Sequence, residues 1–464
     1  MKRLAILNVV GLTDGLIGEQ TPAIEAFRRA GAQATLSAAF PAVTCTAQAD
    51  YLTGATASTH GIVGNGWFDR ALAEVHFWKQ SNHLVEAPKV WERLKERHPG
   101  FSCAKLFWWF NMYSSADLAI TPRPQYPADG RKVFDIYAWP YALRTEVKQS
   151  LGEFPFPAFW GPAAGVPSAQ GPPEAASRWI ADAALWVETR HRPHLSLVYL
   201  PHLDYSLQRL GPGHPSLGAD LRRIDQVVGE LIAAYRERDV HVLILSEYGI
   251  VPVRQPVHLN RHFREQGWLT VKQELGGELL DAGASRVFAV ADHQVAHIYV
   301  NDTGLQARVR TFLEQVPGVA RVLGPEEQTR AGIRHRRAGD LIVLANPDAW
   351  FTYYYWLEDS HAPDFARTVD IHRKPGYDPV ELFLDPAIRW PRLKVMWRLL
   401  QKRVGLRMLM DVIPLDASLV RGSHGVAPVD PADRPILLTN APGLLREAEY
   451  PSTAVHDLVL HYYD

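Results

Sequence analysis

Three apolar runs mark the chain, at residues 4–10, 195–200 and 240–245. Runs of this length with little polar alternation are typical of strands buried on both faces of a parallel sheet. Each run leads directly into a cluster of polar residues. Because the carboxyl ends of parallel strands meet at one edge of a sheet, ligand-binding or catalytic side chains are expected at that edge.

Segments with helical spacing of apolar residues lie between these strands, at residues 23–30, 175–189 and 217–238. The first follows Thr21-Pro22 and precedes Gly31, residue types that favour the start and the end of a helix. This alternation of strands and helices predicts an α/β fold with a doubly wound, mostly parallel sheet.

Residues 275–400 have a different pattern, with strands predicted at 295–300 and 340–345 and an aromatic run at 350–356. We interpret them as an inserted cap subdomain, which leaves residues 1–270 and 405–464 as the core. Residues 122–173 are rich in Pro, Gly and aromatic side chains, and they predict long ordered loops around the site.

Residues 390–412 combine Leu, Val, Met and Trp with several basic side chains. A basic amphipathic helix of this kind can lie on an anionic membrane surface or bind an acidic partner. The commoner arrangement, which we favour, is a surface helix that packs on the core and shows its basic face to water. The basic residues are Arg392, Lys394, Arg398, Lys402, Arg403 and Arg407.

Composition narrows the function classes. The chain has 464 residues, with 49 Lys and Arg against 50 Asp and Glu, so its net charge of −1 gives no reason to expect a nucleic-acid polymer as partner. Its two cysteines, Cys45 and Cys103, cannot form a disulfide framework, which favours a cytoplasmic location. The apolar run at 4–10 is short and contains Asn8, so we interpret it as a strand and not as a signal peptide.

The strongest chemical motif is Phe-Pro-Ala-Val-Thr-Cys-Thr at residues 40–46. It continues with Leu-Thr-Gly at 52–54 and His-Gly-Ile-Val-Gly-Asn at 60–65. If a helix begins at Thr44, its hydroxyl lies among unpaired backbone N–H groups at the positive end of the helix dipole, which favours phosphate binding. A threonine in this position can also be a simple helix cap.

The order of these motifs resembles the nucleophile segment of the nucleotide pyrophosphatase/phosphodiesterase family, in the alkaline phosphatase superfamily. The resemblance implies that Thr44 attacks phosphorus and forms a covalent phospho-threonine intermediate, and that Asn65 contacts substrate. The family often has an asparagine three residues after the nucleophile, where this chain has Ala47.

The resemblance also implies two zinc sites, but several ligand positions differ. Asp204 matches the family's aspartate, whereas Gln208 stands where the family has histidine. Glu247 and Tyr248 replace an aspartate and a histidine of the second site. Tyr248 is expected to be packed or hydrogen-bonded at the cleft wall, and His424, in Gly-Ser-His-Gly, matches the histidine that completes the first site.

The ligand after the first strand stays open between two alignments. The family's Asp-Gly-Leu corresponds either to Val10-Gly11-Leu12 or to Asp14-Gly15, and Asp14 is then either a ligand or a turn residue. His293 and His297 would share one face with Val295 if residues 293–297 are extended. His372 and Lys374, in residues 370–378, could contact metal or phosphate.

Together these observations predict a metal-dependent phosphodiesterase or pyrophosphatase that acts on a small phosphate ester. One or two divalent ions are expected, Zn²⁺ first and Mn²⁺ or Mg²⁺ as alternatives. A non-catalytic descendant that binds a phosphorylated or lipid-like metabolite, and a phosphonate or sulfate ester hydrolase, are the alternatives. The predicted metal ligands are Asp14, Asp204, Glu247, His424 and His372, and the predicted substrate contacts are Gln208, Tyr248, Asn65 and Lys374.

Overall fold

A computed structural model describes residues 1–129, 131–159, 172–274, 276–406 and 408–464. The strands are β1 Leu4–Val9, β2 Ala32–Ser37, β3 Gly66–Asp69, β4 Glu74–Phe77, β5 Cys103–Leu106, β6 Leu118–Pro122, β7 Ile136–Trp139, β8 Leu195–Leu200, β9 His241–Leu245, β10 Val251–Pro252, β11 Gln255–Val257, β12 Val271–Glu274, β13 Gly277–Leu280, β14 Val287–Asp292, β15 Val295–Val300, β16 Val319–Leu323, β17 Leu341–Ala345, β18 Ala349–Phe351, β19 Gly422–Ser423, β20 Ile436–Thr439 and β21 Glu449–Pro451.

The α-helices lie mostly between these strands along the chain. They are α1 Pro22–Ala30, α2 Thr44–Thr53, α3 Ala57–His60, α4 Val90–Arg97, α5 Tyr141–Leu151, α6 Phe156–Phe159, α7 Ala175–His191, α8 His202–Leu210, α9 Leu217–Arg236, α10 Leu259–Glu265, α11 Gln306–Leu313, α12 Pro325–Arg330, α13 Pro391–Arg403 and α14 Ala454–Tyr463.

The central sheet has nine strands in the order β21-β2-β20-β9-β1-β8-β5-β6-β7. Neighbouring strands run parallel from β9 to β6, and β20 and β7 are antiparallel to their neighbours. All six residues of β1 are buried, because β8 and β9 pair with it on its two sides and side chains pack on both of its faces. The prediction of an α/β fold with a mostly parallel sheet is confirmed.

The elements predicted from apolar spacing are present. The three apolar runs form β1, β8 and β9, and the three helical segments form α1, α7 and α9. The strands predicted at 295–300 and 340–345 form β15 and β17, in an antiparallel sheet of order β14-β15-β17-β16.

Residues 122–173 do not form only loops, contrary to the prediction. They contain β7, α5 and α6, while residues 160–171 lie outside the described chain. Phe154, Phe156 and Phe159 are buried in the main hydrophobic core, and Phe107 packs against two of them. Burial of these aromatic rings favours ordered structure despite the high content of proline and glycine.

A second hydrophobic core contains the four-stranded sheet and the aromatic run at 350–356. It also contains residues from the N-terminal part of the chain, such as Cys45 and Ile62. The aromatic run therefore packs inside the protein. The boundaries assigned to the cap, 275–400, stay a prediction.

The helix predicted within residues 390–412 is present as α13. It does not pack on the core with its basic face toward water, which was the arrangement that we favoured. None of its residues is buried, and the residues nearest the protein body are mainly polar. Arg407, one of the predicted basic residues, lies outside the described chain. Among the described helices, none has the length and apolar character that crossing a lipid bilayer requires.

Candidate active site

Thr44 is the first residue of α2 and lies in the wall of a pocket with a cavity volume of about 50 Å³. A cavity of this size holds a few water molecules or a group the size of a phosphoryl group. The pocket is lined by Thr44, Asn65, Trp78, Trp109, Phe159, Tyr199, Asp204, Tyr205, Tyr248, His293, Ile371, Lys374, Gly376, Tyr377, Asp378, Glu381 and Leu382.

A chain of hydrogen bonds joins Thr44 to a carboxylate. The Thr44 Oγ1 atom is 3.1 Å from the Tyr248 hydroxyl, which donates to Asp204 Oδ1 over 3.1 Å. Since the Tyr248 proton goes to Asp204, the Tyr248 oxygen is free to accept the proton of the Thr44 hydroxyl. Asp204 follows β8 and Tyr248 follows β9, so this contact forms at the carboxyl edge of the sheet.

Asp204 is partly buried and is held by its own helix. Gln208, one turn later in α8, donates from Nε2 to Asp204 Oδ2 over 2.8 Å, and Tyr377 donates to Gln208 Oε1 over 3.3 Å. Burial raises the pKa of Asp204 to about 6, against the hydrogen bonds from Gln208 and Tyr248, which lower it. Gln208 thus orients the carboxylate from behind the pocket wall.

Glu247 lies behind Thr44 and not in the pocket lining. Its Oε1 atom accepts hydrogen bonds of 2.6 Å from both Asn8 Nδ2 and Gln48 Nε2. Burial raises the pKa of Glu247 to about 8, although the hydrogen bonds from Gln48, Asn8 and Thr44 lower it. The carboxyl group is therefore protonated at neutral pH, when it carries no charge.

His424 belongs to a stack of four rings. Its ring lies 3.5 Å from that of Tyr248 at an angle of 6°, and 3.7 Å from the ring of His293, which stacks on Tyr377 at 4.0 Å. The Nδ1 atom of His424 is 2.7 Å from the Ala42 carbonyl oxygen, and burial lowers the pKa of His424 to about 3. His424 is therefore neutral, and its Nε2 atom has no hydrogen-bond partner among the described residues.

Asn65 lies in the pocket wall, but its hydrogen-bonding groups are engaged by protein. Its Oδ1 atom accepts from the Cys45 backbone over 3.0 Å, and its backbone N and Nδ2 donate to Asp292 over 2.8 and 3.0 Å. Burial raises the pKa of Asp292 to about 7. Asn65 thus ties the start of α2 to the end of β14.

Lys374 is buried in the pocket wall between two carboxyl groups. Its Nζ atom lies 2.6 Å from Asp378 Oδ2 and 2.7 Å from Glu381 Oε1. Its charge is therefore largely balanced by these carboxyl groups before any anionic substrate arrives.

Asp14 is not brought to this group, contrary to the sequence expectation. It is partly exposed, forms an ion pair of 2.8 Å with Arg28, and accepts a hydrogen bond from Gln33 over 2.9 Å. It begins a short 3-10 turn after β1, and this turn directs it toward α1. Val10, the other alignment, is fully buried and offers no ligand atom.

His372 and His297 also lie away from Thr44. His372 lines two neighbouring cavities and not the Thr44 pocket. His297 uses both ring nitrogens, with the Val63 carbonyl oxygen at 2.9 Å and the Gly339 backbone N at 3.1 Å. His293 does not extend β15 but has a φ of 61° in the turn before it, and this turn brings its ring to the pocket.

The donor set does not fit the two-metal centre that the family resemblance implies. Positions 208 and 248 present an amide and a phenol, and both side chains already form hydrogen bonds with Asp204. Within the described parts of the chain, no group of three or more His, Cys, Asp and Glu side chains is arranged to hold a metal ion. The site is instead a hydrogen-bonded network of Thr44, Tyr248, Asp204 and Gln208.

The residues that sequence reasoning missed are mostly those that hold others in place. Asn8 is the one strongly polar side chain in the apolar run at 4–10, which is the signal that could have identified it. Gln48 lies one turn after Thr44 in α2, but an amide inside a helix gives no such signal. Asp378 and Glu381 follow Lys374 by four and seven residues, and two acidic residues this close in sequence could have indicated the ion pairs.

A family model and a yeast protein match this chain in sequence. The family model described as type I phosphodiesterase/nucleotide pyrophosphatase matches residues 4–378. An uncharacterised pyrophosphatase/phosphodiesterase of Schizosaccharomyces pombe is 36% identical over 67 residues. That match spans 14% of this chain and 14% of the yeast protein.

Solved structures match over almost the whole chain. An inactive murine ectonucleotide pyrophosphatase/phosphodiesterase 5 in complex with AMP is 14% identical, with a TM-score of 0.58, and the match covers 100% of this chain and 95% of the other. Phosphonoacetate hydrolase of Sinorhizobium meliloti in complex with phosphonoformate is 13% identical, with a TM-score of 0.61 and coverage of 99% and 96%. At these identities the likeness is one of fold.

Proposed function

Because the chain belongs to the type I phosphodiesterase/nucleotide pyrophosphatase family of the alkaline phosphatase superfamily, we propose that it hydrolyses a phosphate or phosphonate ester with Thr44 as nucleophile. The observation that carries the proposal is the hydrogen-bond chain from Thr44 through Tyr248 to Asp204. A hydroxyl is a weak nucleophile until a base accepts its proton, and this chain leads to a carboxylate.

The chain's own residues account for the proton balance. When Thr44 Oγ1 attacks phosphorus, its proton moves to the Tyr248 oxygen while the Tyr248 proton moves to Asp204. The bond between phosphorus and the leaving oxygen breaks with its electron pair on that oxygen, so the leaving group departs as an anion and the phosphoryl group stays bonded to Thr44. Water then displaces Thr44 from phosphorus, Asp204 returns its proton through Tyr248 to the Thr44 oxygen, and the proton that water loses passes to solvent, where it balances the negative charge of the released leaving group.

Charge in the pocket limits the substrate. Asp204, Asp378 and Glu381 lie in the lining, and Lys374 forms ion pairs with Asp378 and Glu381. A phosphate monoester with two negative charges is disfavoured there, because like charges at short range repel in a buried site. A diester or a phosphonate monoester carries one negative charge, so the carboxylates of the pocket repel it less.

Enzymes of this family in general use divalent metal ions. Since the donor set here does not fit a two-metal centre, we assign no step to a metal, and Zn²⁺ as cofactor stays a prediction. A cytoplasmic location also stays a prediction, consistent with two cysteines that are free and buried.

The test compares threonine variants in the hydrolysis of bis-p-nitrophenyl phosphate and p-nitrophenyl phenylphosphonate. We expect Thr44→Val to lower kcat/KM by at least about 100-fold, since the nucleophile is lost. Thr46→Val is the matched control, because Thr46 lies two residues later in α2 and its hydroxyl bonds the Ile62 carbonyl oxygen outside the pocket. Equal activity in wild type and Thr44→Val would contradict the proposal.

Tyr248→Phe tests the proton path. It removes the hydroxyl between Thr44 and Asp204, so we expect kcat to fall by at least about tenfold with KM little changed. Tyr205→Phe is the matched control, since Tyr205 lines the same pocket without a hydrogen bond to Thr44. A fall confined to KM would assign Tyr248 to substrate binding.

A binding protein without turnover is the second candidate, favoured by Gln208 and Tyr248 at positions where the family has histidine. Phenylphosphonate would then raise the melting temperature while both chromogenic esters stay intact in the presence and absence of Zn²⁺ and Mn²⁺. Turnover that depends on Thr44 would exclude this candidate.

A further inference from the structure

Residues 389–406, the basic helix segment, form a surface away from the pocket. This segment contains α13. Large apolar side chains in this segment are each at least half exposed to solvent, and in a folded protein such side chains are normally scattered singly. They are Trp390, Leu393, Met396, Trp397, Leu399, Leu400, Val404 and Leu406.

The orientation of α13 explains this exposure. Lys394 and Arg398 face the protein body, where both bond Asp411 over 3.0 and 2.9 Å, and Val395 beside them packs against the second core. Leu393, Met396, Trp397, Leu400 and Val404 follow at spacings of three and four residues, so they share the opposite face. The helix is therefore inverted relative to an ordinary surface helix, which buries its apolar face.

Positive charge lies beside and behind the outward apolar face, with Arg392 and Arg403 at its edge and Lys402 on the far side of the helix. Arg392, Lys402 and Arg403 are exposed, and none of them forms an ion pair with a described residue. No acidic residue occurs between Asp385 and Asp411 in the sequence. Because the whole chain has a net charge of −1, this concentration of cations is a local property of the segment.

We propose that the basic helix segment docks on an anionic membrane surface, with its apolar face in the interface and its cations against lipid headgroups. An outward apolar face with tryptophan, bordered by Lys and Arg, is the arrangement of helices that lie in the membrane plane. Exposed cations near an anionic leaflet each add attraction that weakens with salt.

A membrane accounts for the surface better than a second copy of the chain. α13 has 13 residues and is about 20 Å long and 10 Å wide. One helix face of that size falls short of the roughly 800 Å² per partner that stable protein interfaces bury. Two copies would also bring like charges together, whereas an anionic bilayer is complementary to them.

The experiment sediments the full-length protein with vesicles of phosphatidylcholine alone or of an equimolar mixture with phosphatidylglycerol. We expect binding to the anionic vesicles that decreases with added salt, and binding to phosphatidylcholine that is at least about tenfold weaker. Met396→Ser with Trp397→Ser should lower anionic binding at least about tenfold, since both side chains are exposed apolar anchors. Lys402→Glu with Arg403→Glu should do the same through charge.

Leu72→Ser with Val429→Ser is the matched control, because both residues are exposed and apolar but lie outside the segment. We expect this variant to bind as wild type, and all variants to keep the wild-type melting temperature. Equal binding by wild type and by Met396→Ser with Trp397→Ser would overturn the proposal. So would a dimer, measured by light scattering, that this variant dissociates while wild type binds no vesicles.

Discussion

Glu247 shows how far the surroundings of a single side chain can depart from what its sequence position indicates. By position it corresponds to a metal-binding carboxylate, but Asn8 and Gln48 surround it with amide donors in a fully buried site. Burial keeps its carboxyl group protonated at neutral pH, with a pKa of about 8. The residue therefore acts as a neutral hydrogen-bonding group behind Thr44.

This shifted pKa makes stability depend on pH. The ordinary pKa of a glutamate is 4.5, so between about pH 5 and pH 8 the folded protein binds one proton more than the unfolded chain at Glu247. The stabilisation by this group is thus full below pH 4.5 and is lost as pH rises through 8. Relative to Glu247→Gln, the free energy of unfolding of wild type should fall by about 1.4 kcal/mol per pH unit over that range.

Urea denaturation at a series of pH values measures this difference. Glu237→Gln serves as the control for the loss of a carboxyl group, because Glu237 is mostly exposed. Parallel stability curves for wild type and Glu247→Gln would show that the Glu247 carboxyl titrates normally.

Individual residues also show what can and what cannot be predicted from the sequence. Thr44, Asp204 and Tyr248 were predicted to meet because each stands at a strand or helix end that the apolar pattern locates. The position predicted for Asp14 was wrong, because a difference of a few residues along a turn changes the direction in which a side chain points. The partners of a side chain, such as Gln48 for Glu247, depend on tertiary packing, which no local pattern shows.

At the scale of elements, the loop after β9 is fixed by a close approach of two backbones. A Cβ atom at Gly249 would overlap the carbonyl oxygen of Asp433, so this position has no room for a side chain. The loop carries Glu247 and Tyr248 immediately before that glycine. Any displacement of the loop therefore moves the Tyr248 hydroxyl away from Thr44.

We expect Gly249→Ala to lower the free energy of unfolding by about 2 kcal/mol or more and to reduce turnover of the chromogenic esters by at least about tenfold. Gly18→Ala is the matched control, because no atom lies within 4 Å of its added Cβ. Chemical denaturation and initial rates measure the two effects. Wild-type stability and activity in Gly249→Ala would contradict the close contact between Gly249 and the Asp433 carbonyl oxygen.

Elements with strong apolar patterns were predicted well, and elements without them were not. β1, β8 and β9 are buried on both faces, so each of them appears in the sequence as a continuous apolar run. α5 and α6 lie in a segment whose Pro and Gly content is typical of loops. The packing of aromatic side chains accounts for their ordered structure. α13 has the predicted helical spacing, but spacing alone does not reveal which face turns toward the protein.

For the whole molecule, the replaced ligands predict a metal content lower than the family resemblance implies. We expect fewer than two Zn²⁺ ions per chain after saturation with Zn²⁺ and gel filtration, because Gln208 and Tyr248 are poor zinc ligands. Gln208→His with Tyr248→His should raise the content, since imidazole is the better donor. Elemental analysis by mass spectrometry measures both proteins.

Leu72→His with Val429→His is the control for this experiment, because it adds two histidines at exposed positions away from the site. Its metal content should equal that of wild type. Two tightly held ions per wild-type chain would show that the donor set rearranges around metal.

The stack of Tyr248, His424, His293 and Tyr377 has a consequence for the way the protein is made. Thr44 leaves the ribosome first, and the last ring of the stack, His424, follows it 380 residues later in the chain. Before then Tyr248 lacks the ring that supports it on one side. A nascent chain therefore carries its nucleophile without the surroundings that position it, and a complete site exists only once the C-terminal part has joined the fold.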